Sequence, residues 1–214
     1  MEKELQKRIL SSIILLPLSF FFIIKGSVFF ILFLTILFIV ACLEWLKMTK
    51  KIEYKTIGIL FLLFSFYTVY FFREKDLSDF LLILIICITT DIGGYIFGKI
   101  FKGPRLIKIS PNKTYAGMIG SFLLSIVASY IFAIKYNSTF LQNQNLFEGV
   151  YFIFLIFLIS SVSQIGDLII SYFKRLSKIK DTGNIFPGHG GLLDRIDGMI
   201  FAFPFIFLVS KISL

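Results

Sequence analysis

Between Ser171 and Asp197 the chain reads SYFKRLSKIKDTGNIFPGHGGLLDRID. This stretch sets a serine, a run of basic side chains, a Pro-Gly-His-Gly-Gly loop and further carboxylates between two strongly apolar segments. Ionisable groups beside hydrocarbon are expensive and mark a functional site by default. Asp167, Ser171, Lys174, Arg175 and Lys178 are spaced by 4, 3, 1 and 3. On a continuing helix they would line one face, with the carboxylate deepest. After Lys180 and Asp181, Gly183, Pro187, Gly188, Gly190 and Gly191 should stop that helix. A glycine-rich turn leading into a helix N-terminus exposes N–H groups suited to oxyanions, with phosphate the natural guest. Asp194 and Asp197 follow at i and i+3. Their carboxylates would project to one side and share a divalent cation with Asp167. Hard oxygens of this kind suit Mg²⁺, which keeps waters and is completed by substrate phosphates. The plainer alternative is that the aspartates complement the helix dipole or pair with Arg195. Three aspartates beside a Lys/Arg ladder favour metal and phosphate chemistry.

These residues need elements to hold them, and composition dictates which. Of 214 residues, 57% are hydrophobic and 28 are Phe, which identifies an integral membrane protein. Apolar runs at about 10–24, 27–43, 57–72, 77–100, 115–134, 148–172 and 192–211 each approach the ~20 residues that a spanning helix needs. The expected fold is all-α and polytopic, with about seven transmembrane helices and the site at the ends of the C-terminal ones. No soluble domain or repeat is visible, so residues 1–214 form one domain, with N-terminal helices at 1–76 and site-bearing helices and loops at 77–214. A net charge of +9 could suggest nucleic acid, but the basic residues cluster in short loops between apolar runs, as topology-setting charges do. Cys42 and Cys87 lie inside apolar runs and imply no disulfide framework.

The first apolar run follows Lys3, Lys7 and Arg8. It leads through Lys25-Gly26-Ser27 into the second run without a small-residue cleavage site, so it reads as a retained hairpin. With the N-terminus in the cytoplasm, seventeen basic residues fall on the cytoplasmic side and five on the other, which supports N-in and C-out. Loops 101–114 and 173–191 then face the cytoplasm, where nucleotides are available, and the polar connector at 135–147 lies outside.

A second polar cluster sits in the fourth run. Asp91, Tyr95 and Gly98 share a face, and Gly94-x-x-x-Gly98 permits close helix approach, so packing is the expected role of the glycines. Asp91, about two turns inside the membrane, could pair with Lys113, Arg175 or Arg195, or join the site. The following loop, with Lys108, Ser110, Lys113 and Thr114, would be either a lid over the nucleotide or headgroup, or a basic loop on an anionic membrane surface.

Ser171-x-x-Lys174-Arg175, Lys180-Asp181, Pro187-x-His189-Gly190-Gly191 and Asp194-Arg195-x-Asp197 together resemble the signature of the phosphatidate cytidylyltransferases, or CDP-diacylglycerol synthases. The resemblance extends to Arg8, Glu44-Trp45, Asp91-Ile92-Gly93-Gly94-Tyr95 and Ser110-Pro111-Asn112-Lys113-Thr114. One departure is Ala116-Gly117, where the family commonly has an acidic residue after Lys-Thr; the site is therefore not extended past Thr114. The chain is also short for the family, which the resemblance would ascribe to one helix fewer near the N-terminal end.

The resemblance implies transfer of CMP from CTP to phosphatidic acid, giving CDP-diacylglycerol and pyrophosphate at the inner, cytoplasmic membrane. It further implies Mg²⁺ held by Asp167, Asp194 and Asp197, beside a second cation such as K⁺, and homodimers. Cations and positioning supply most of the catalysis in such transfers. Lys174, Arg175, Lys180 and Arg195 would neutralise phosphates, with Asp181, Gly190 and Gly191 in the same loop and Ser110, Lys113 and Thr114 on the opposite one. Ser171 could donate to a phosphate oxygen or ligate metal. His189 would donate to pyrophosphate or hydrogen-bond the loop backbone. No general base is required, because the second ionisation of a phosphomonoester lies near neutral pH.

A small secondary transporter or ion channel with Asp91 and Asp167 on its ion path is the alternative. It would predict inverted repeats, which the sequence does not show. A CDP-alcohol phosphotransferase would need an Asp-Gly-x-x-Ala-Arg opening that is missing here, and a non-catalytic scaffold gives no reason for a His-Gly-Gly loop between aspartates.

Overall fold

In the computed structural model the described residues are 13, 15, 17–107, 110–136, 146–185 and 190–212. Helices dominate: α1 (17–25), α2 (Ser27–Met48), α3 (Ile52–Lys75), α4 (Leu77–Phe101), α5 (Tyr115–Tyr136), α6 (Leu146–Leu176), α7 (Leu193–Ile196) and α8 (Met199–Ile212). Among the described residues, five helices are long and apolar enough to cross a membrane, namely α2 to α6. The protein is a helical membrane protein. The expected seven spans are not reached in this count. Only residues 17–25 of the first run form a described continuous helix, and α8, at 14 residues, covers about 21 Å at 1.5 Å per residue.

The last apolar run is not one helix. It divides at Asp197-Gly198 into α7 and α8. Gly198 lies against α6 so closely that a Cβ there would stand 2.2 Å from the Ser163 hydroxyl oxygen. At the division the Gly198 N–H bonds the Asp197 Oδ1 at 2.9 Å. The loop after α4 is also more regular than expected, since β1 (Arg105–Ile107) and β2 (Ser110–Thr114) pair antiparallel, with Arg105 opposite Thr114. Thr114 then starts α5, its hydroxyl accepting the Gly117 N–H at 3.1 Å, which is the position of an N-cap bond.

Two apolar cores hold the helices. One joins Phe30, Phe80, Ile83, Ile86, Phe152 and Phe203; the other joins Trp45, Leu62, Ile170, Leu193 and Ile200. The glycines of α4 serve packing, as the sequence led one to expect. A Cβ on Gly93 would meet the Gly120 carbonyl oxygen at 2.5 Å, and one on Gly117 would meet that of Gly94 at 2.7 Å. Gly117 therefore allows α5 to lie against α4.

Between the helices runs a seam of hydroxyls. Ser121 donates to the Thr90 carbonyl at 2.7 Å, and Thr90 donates to Ser160 at 2.8 Å. Helices in an apolar solvent gain from such bonds because the alternative is an unpaired polar group.

Candidate active site

α6 continues past its apolar stretch to Leu176 and ends on Lys178 in the left-handed region at φ 58°. The Lys178 N–H bonds the Arg175 carbonyl and the Ile179 N–H bonds that of Lys174, each at 3.0 Å. Lys178 thus leaves the face that Asp167, Ser171 and Lys174 share, and the expected five-residue ladder shortens. On that face Ser171 donates to Asp167 Oδ1 at 3.2 Å, and Lys174 donates to Asp194 Oδ1 at 2.7 Å. Arg175 is exposed and reaches the Ile179 carbonyl at 3.5 Å, closing the end of its own helix.

Lys113 brings the hairpin to α6. It forms an ion pair with Asp167 and also contacts the Gln164 carbonyl at 3.4 Å. Asp197, 7% exposed, interacts electrostatically with Asp167, Asp91 and Lys174. Asp91 in turn feels Asp167, Lys113 and Arg195. Carboxylates from α4, α6 and the α7–α8 junction, with Lys113, Lys174 and Arg195, therefore form one charged centre. Asp91 belongs to it, as one of the roles open to it in the sequence.

Asp194 is engaged differently. Besides Lys174, its Oδ2 accepts the Thr182 N–H at 2.8 Å, the Gly191 N–H at 3.0 Å and the Thr182 hydroxyl at 3.1 Å. It organises the loop that carries Gly190, whose φ of 86° is the left-handed conformation that glycine adopts freely. Burial raises the Asp194 carboxyl, but the bond from Lys174 and those from Thr182 and Gly191 outweigh it and hold the group below its ordinary value. Thus Asp194 and Asp197, three residues apart, share Lys174 but otherwise differ in partners: donors from the preceding loop capture the first, whereas Asp167 and Asp91 act on the second.

Lys180, Asp181 and Arg195 are exposed around this loop, with the Asp181 side chain 3.4 Å from the Cβ position of Gly190. Ser110 is half-buried at the start of β2. His189, Pro187, Gly188 and Lys108 lie outside the described residues, as do Arg8 and the connector at 137–145.

Among the described residues no three His, Cys, Asp or Glu side chains converge into a complete metal-binding group. The chemistry of the donors nevertheless fits a hard divalent cation. Asp167, Asp197 and Asp91 lie within electrostatic reach of one another, a juxtaposition of like groups that a cation would stabilise. Two or three carboxylates leave room for waters and phosphate oxygens to complete an octahedron.

The sequence pattern of the cytidylyltransferase family matches residues 59–213, which contain every one of these charged groups. The chain belongs to the cytidylyltransferase family. Relatives extend the match toward the N-terminus. A protein named phosphatidate cytidylyltransferase from Rickettsia bellii is 34% identical over 218 aligned positions, covering 100% of this chain and 94% of its own. One of the same name from Rickettsia felis is 32% identical, over 98% of this chain and 93% of its own. A third, from Staphylococcus aureus, is 38% identical over 73% of this chain and 55% of its own. Membership makes the protein a nucleotidyltransferase, and the transporter alternative is not favoured.

Two residues beside the loop that carries Gly190 received no site role from the sequence. Glu44 carried no assigned role there, although a carboxylate at the end of an apolar run is itself a signal. Thr182 gave none, because one threonine in a polar loop is unremarkable until its partners are known.

Proposed function

We propose that the protein is a phosphatidate cytidylyltransferase: it transfers CMP from CTP to phosphatidic acid and releases pyrophosphate. The observation that carries this reading is the convergence of Asp91, Asp167 and Asp197 with Lys113 and Lys174 at one end of the helix bundle, in a chain of cytidylyltransferase ancestry. Anions must be brought together for a phosphate oxygen of the lipid to attack the α-phosphorus of CTP, and charge grows on the leaving pyrophosphate. Positioning and neutralisation are then the main tasks of the protein.

Asp167 and Asp197, with Asp194 near at hand, would hold Mg²⁺, beside a second cation such as K⁺. Bound there, Mg²⁺ would neutralise phosphate oxygens in the clamp manner of metal-dependent transfer. Lys113, now on Asp167, would turn to a substrate phosphate once that carboxylate is engaged. Lys174 keeps Asp194 oriented, and Arg195 with Lys180 offers exposed cationic charge to the triphosphate, arginine where a bidentate grip is useful. The backbone around Gly190 and Gly191 and the His189 side chain would receive pyrophosphate. The chain would lie in the cytoplasmic membrane with its N-terminus and this end of the bundle toward the cytoplasm, a reading that the bias of basic residues supports. The acyl chains lie among the exposed apolar helix faces below.

Pyrophosphate release by purified protein in detergent tests this directly. Release should require CTP, Mg²⁺ and phosphatidic acid together and vanish in Asp197→Asn and Asp194→Asn. Folded wild-type protein that releases none, with every component present, would overturn the assignment.

A further inference from the structure

Glu44 lies in the last turns of α2, only 3% exposed, and among the described residues its carboxylate bonds the loop that leads into α7 and the first residue of α7. Its Oε1 accepts the Leu192 N–H at 2.8 Å, and its Oε2 accepts the Leu193 N–H at 2.9 Å and the Thr182 hydroxyl at 2.9 Å. That hydroxyl has one proton and lies between two carboxylates, since Asp194 Oδ2 is 3.1 Å away. Contact is close on the backbone side as well. A Cβ on either Gly183 or Gly191 would come within 2.6 Å of a Glu44 oxygen. Glu44 lies before residue 59, where the family pattern begins.

Trp45 anchors the end of α2 from the other side. Its indole donates to the Tyr54 carbonyl at 2.9 Å and packs on Phe173 of α6 with ring centroids 4.9 Å apart. The end of α2 is therefore fixed against α3 and α6, and the Glu44 carboxylate is presented to Thr182, Leu192 and Leu193 from a rigid element. Buried N–H groups of this kind must be matched by acceptors, and Glu44 supplies them from 148 residues away in sequence.

We infer that Glu44 is a positioning residue for nucleotide transfer. Through Thr182 and the first N–H groups of α7 it holds Asp194 and the Gly190-Gly191 backbone in the arrangement that receives the phosphates of CTP. The inference rests on the cytidylyltransferase function proposed above. It assigns to an N-terminal helix a part in a site otherwise built from residues 91–197.

Glu44→Gln tests it, being nearly isosteric: the amide NH₂ replaces an acceptor oxygen and faces N–H donors that it cannot satisfy. Two readouts are taken on the full-length protein in detergent, with thermal unfolding recorded so that rates are expressed per folded molecule. The KM for CTP should rise about tenfold or more, as for loss of a charge-assisted hydrogen bond, while the KM for phosphatidic acid stays within twofold. Hydrogen exchange at residues 182–185 and 190–194 should accelerate about tenfold, with α4 and α5 unchanged. A purely structural role would lower the unfolding temperature but leave both KM values of the folded fraction unaltered, and that result overturns the inference. So does faster exchange with normal kinetics, or normal exchange. If the wild-type protein itself shows no CTP-dependent release, the functional proposal fails and the positioning role with it. Exchange then still reports separately whether Glu44 holds the loop.

Discussion

Lys174 Nζ lies 2.7 Å from Asp194 Oδ1, with the two side chains 13% and 8% exposed, and this pair ties the end of α6 to α7. Removing one partner of a buried pair strands the other, at a cost of about 3–5 kcal/mol. Because Thr182 and Gly191 also donate to Asp194, the pair sets the conformation of the whole loop.

The acid sensitivity of the protein follows from that carboxyl. Its native value is depressed, so it contributes stability that is in full force above the unfolded value of about 3.9. That contribution is lost as the pH falls through the native value. The unfolding temperature in detergent should fall as the pH is lowered below about 4, and Asp194→Asn should remove this component of the acid slope. An identical slope in the variant would contradict the assignment.

Lys113 neutralises Asp167 from the hairpin. A divalent cation and this ammonium compete for the same carboxylate, so Lys113→Met should lower the Mg²⁺ concentration needed for half-maximal rate. It should also reduce kcat by about tenfold or more, as expected for losing a charged contact to phosphate. A Mg²⁺ titration of pyrophosphate release reads both. A higher Mg²⁺ requirement would show that Lys113 assists the metal site instead.

Gly166 faces the Asp197 carbonyl and Phe201, whose atoms would lie 2.8 and 2.5 Å from a Cβ. Gly166→Ala should push Asp197 away from Asp167. A misplacement of about 1 Å can cost about 100-fold in rate, so kcat should fall far more than the unfolding temperature suggests. Parallel activity and melting measurements separate the two.

Gly93→Ala should act on stability instead. The added methyl meets the Gly120 carbonyl oxygen at 2.5 Å, and overpacking of this sort costs about 1–3 kcal/mol. The unfolding temperature should drop by several degrees. Gly149→Ala, with nothing within 4 Å of its Cβ position, should leave it unchanged or raise it, because alanine favours helix by about 1 kcal/mol over glycine.

Much of the site was legible along the chain, and the reasons differ by residue. Asp167, Ser171 and Lys174 fall on one helix face because i, i+4 and i+7 periodicity is local. Lys178 left that face because one residue in the left-handed conformation ends the helix, a choice that the surrounding loop decides. The glycines at 94 and 98 announced close packing, but not that α5 answers with Gly117 and Gly120. The β1–β2 hairpin went unread, since the turn-favouring Ser110-Pro111-Asn112 lies inside β2 and not between the strands.

Membrane embedding and the inventory of phosphate-handling and metal-handling groups were determined by the sequence itself. Hydropathy over about 20 residues and helical spacing are properties of a single segment. The tertiary structure alone decided which charge meets which. It turned Asp194 to Lys174 and Thr182, brought Asp197 near Asp167, set Lys113 on Asp167, and placed Glu44 over α7. Such pairings join segments tens to more than a hundred residues apart. Their geometry is fixed by how closely helices approach, through contacts such as Gly198 on Ser163 and Gly93 on Gly120, which no local pattern encodes.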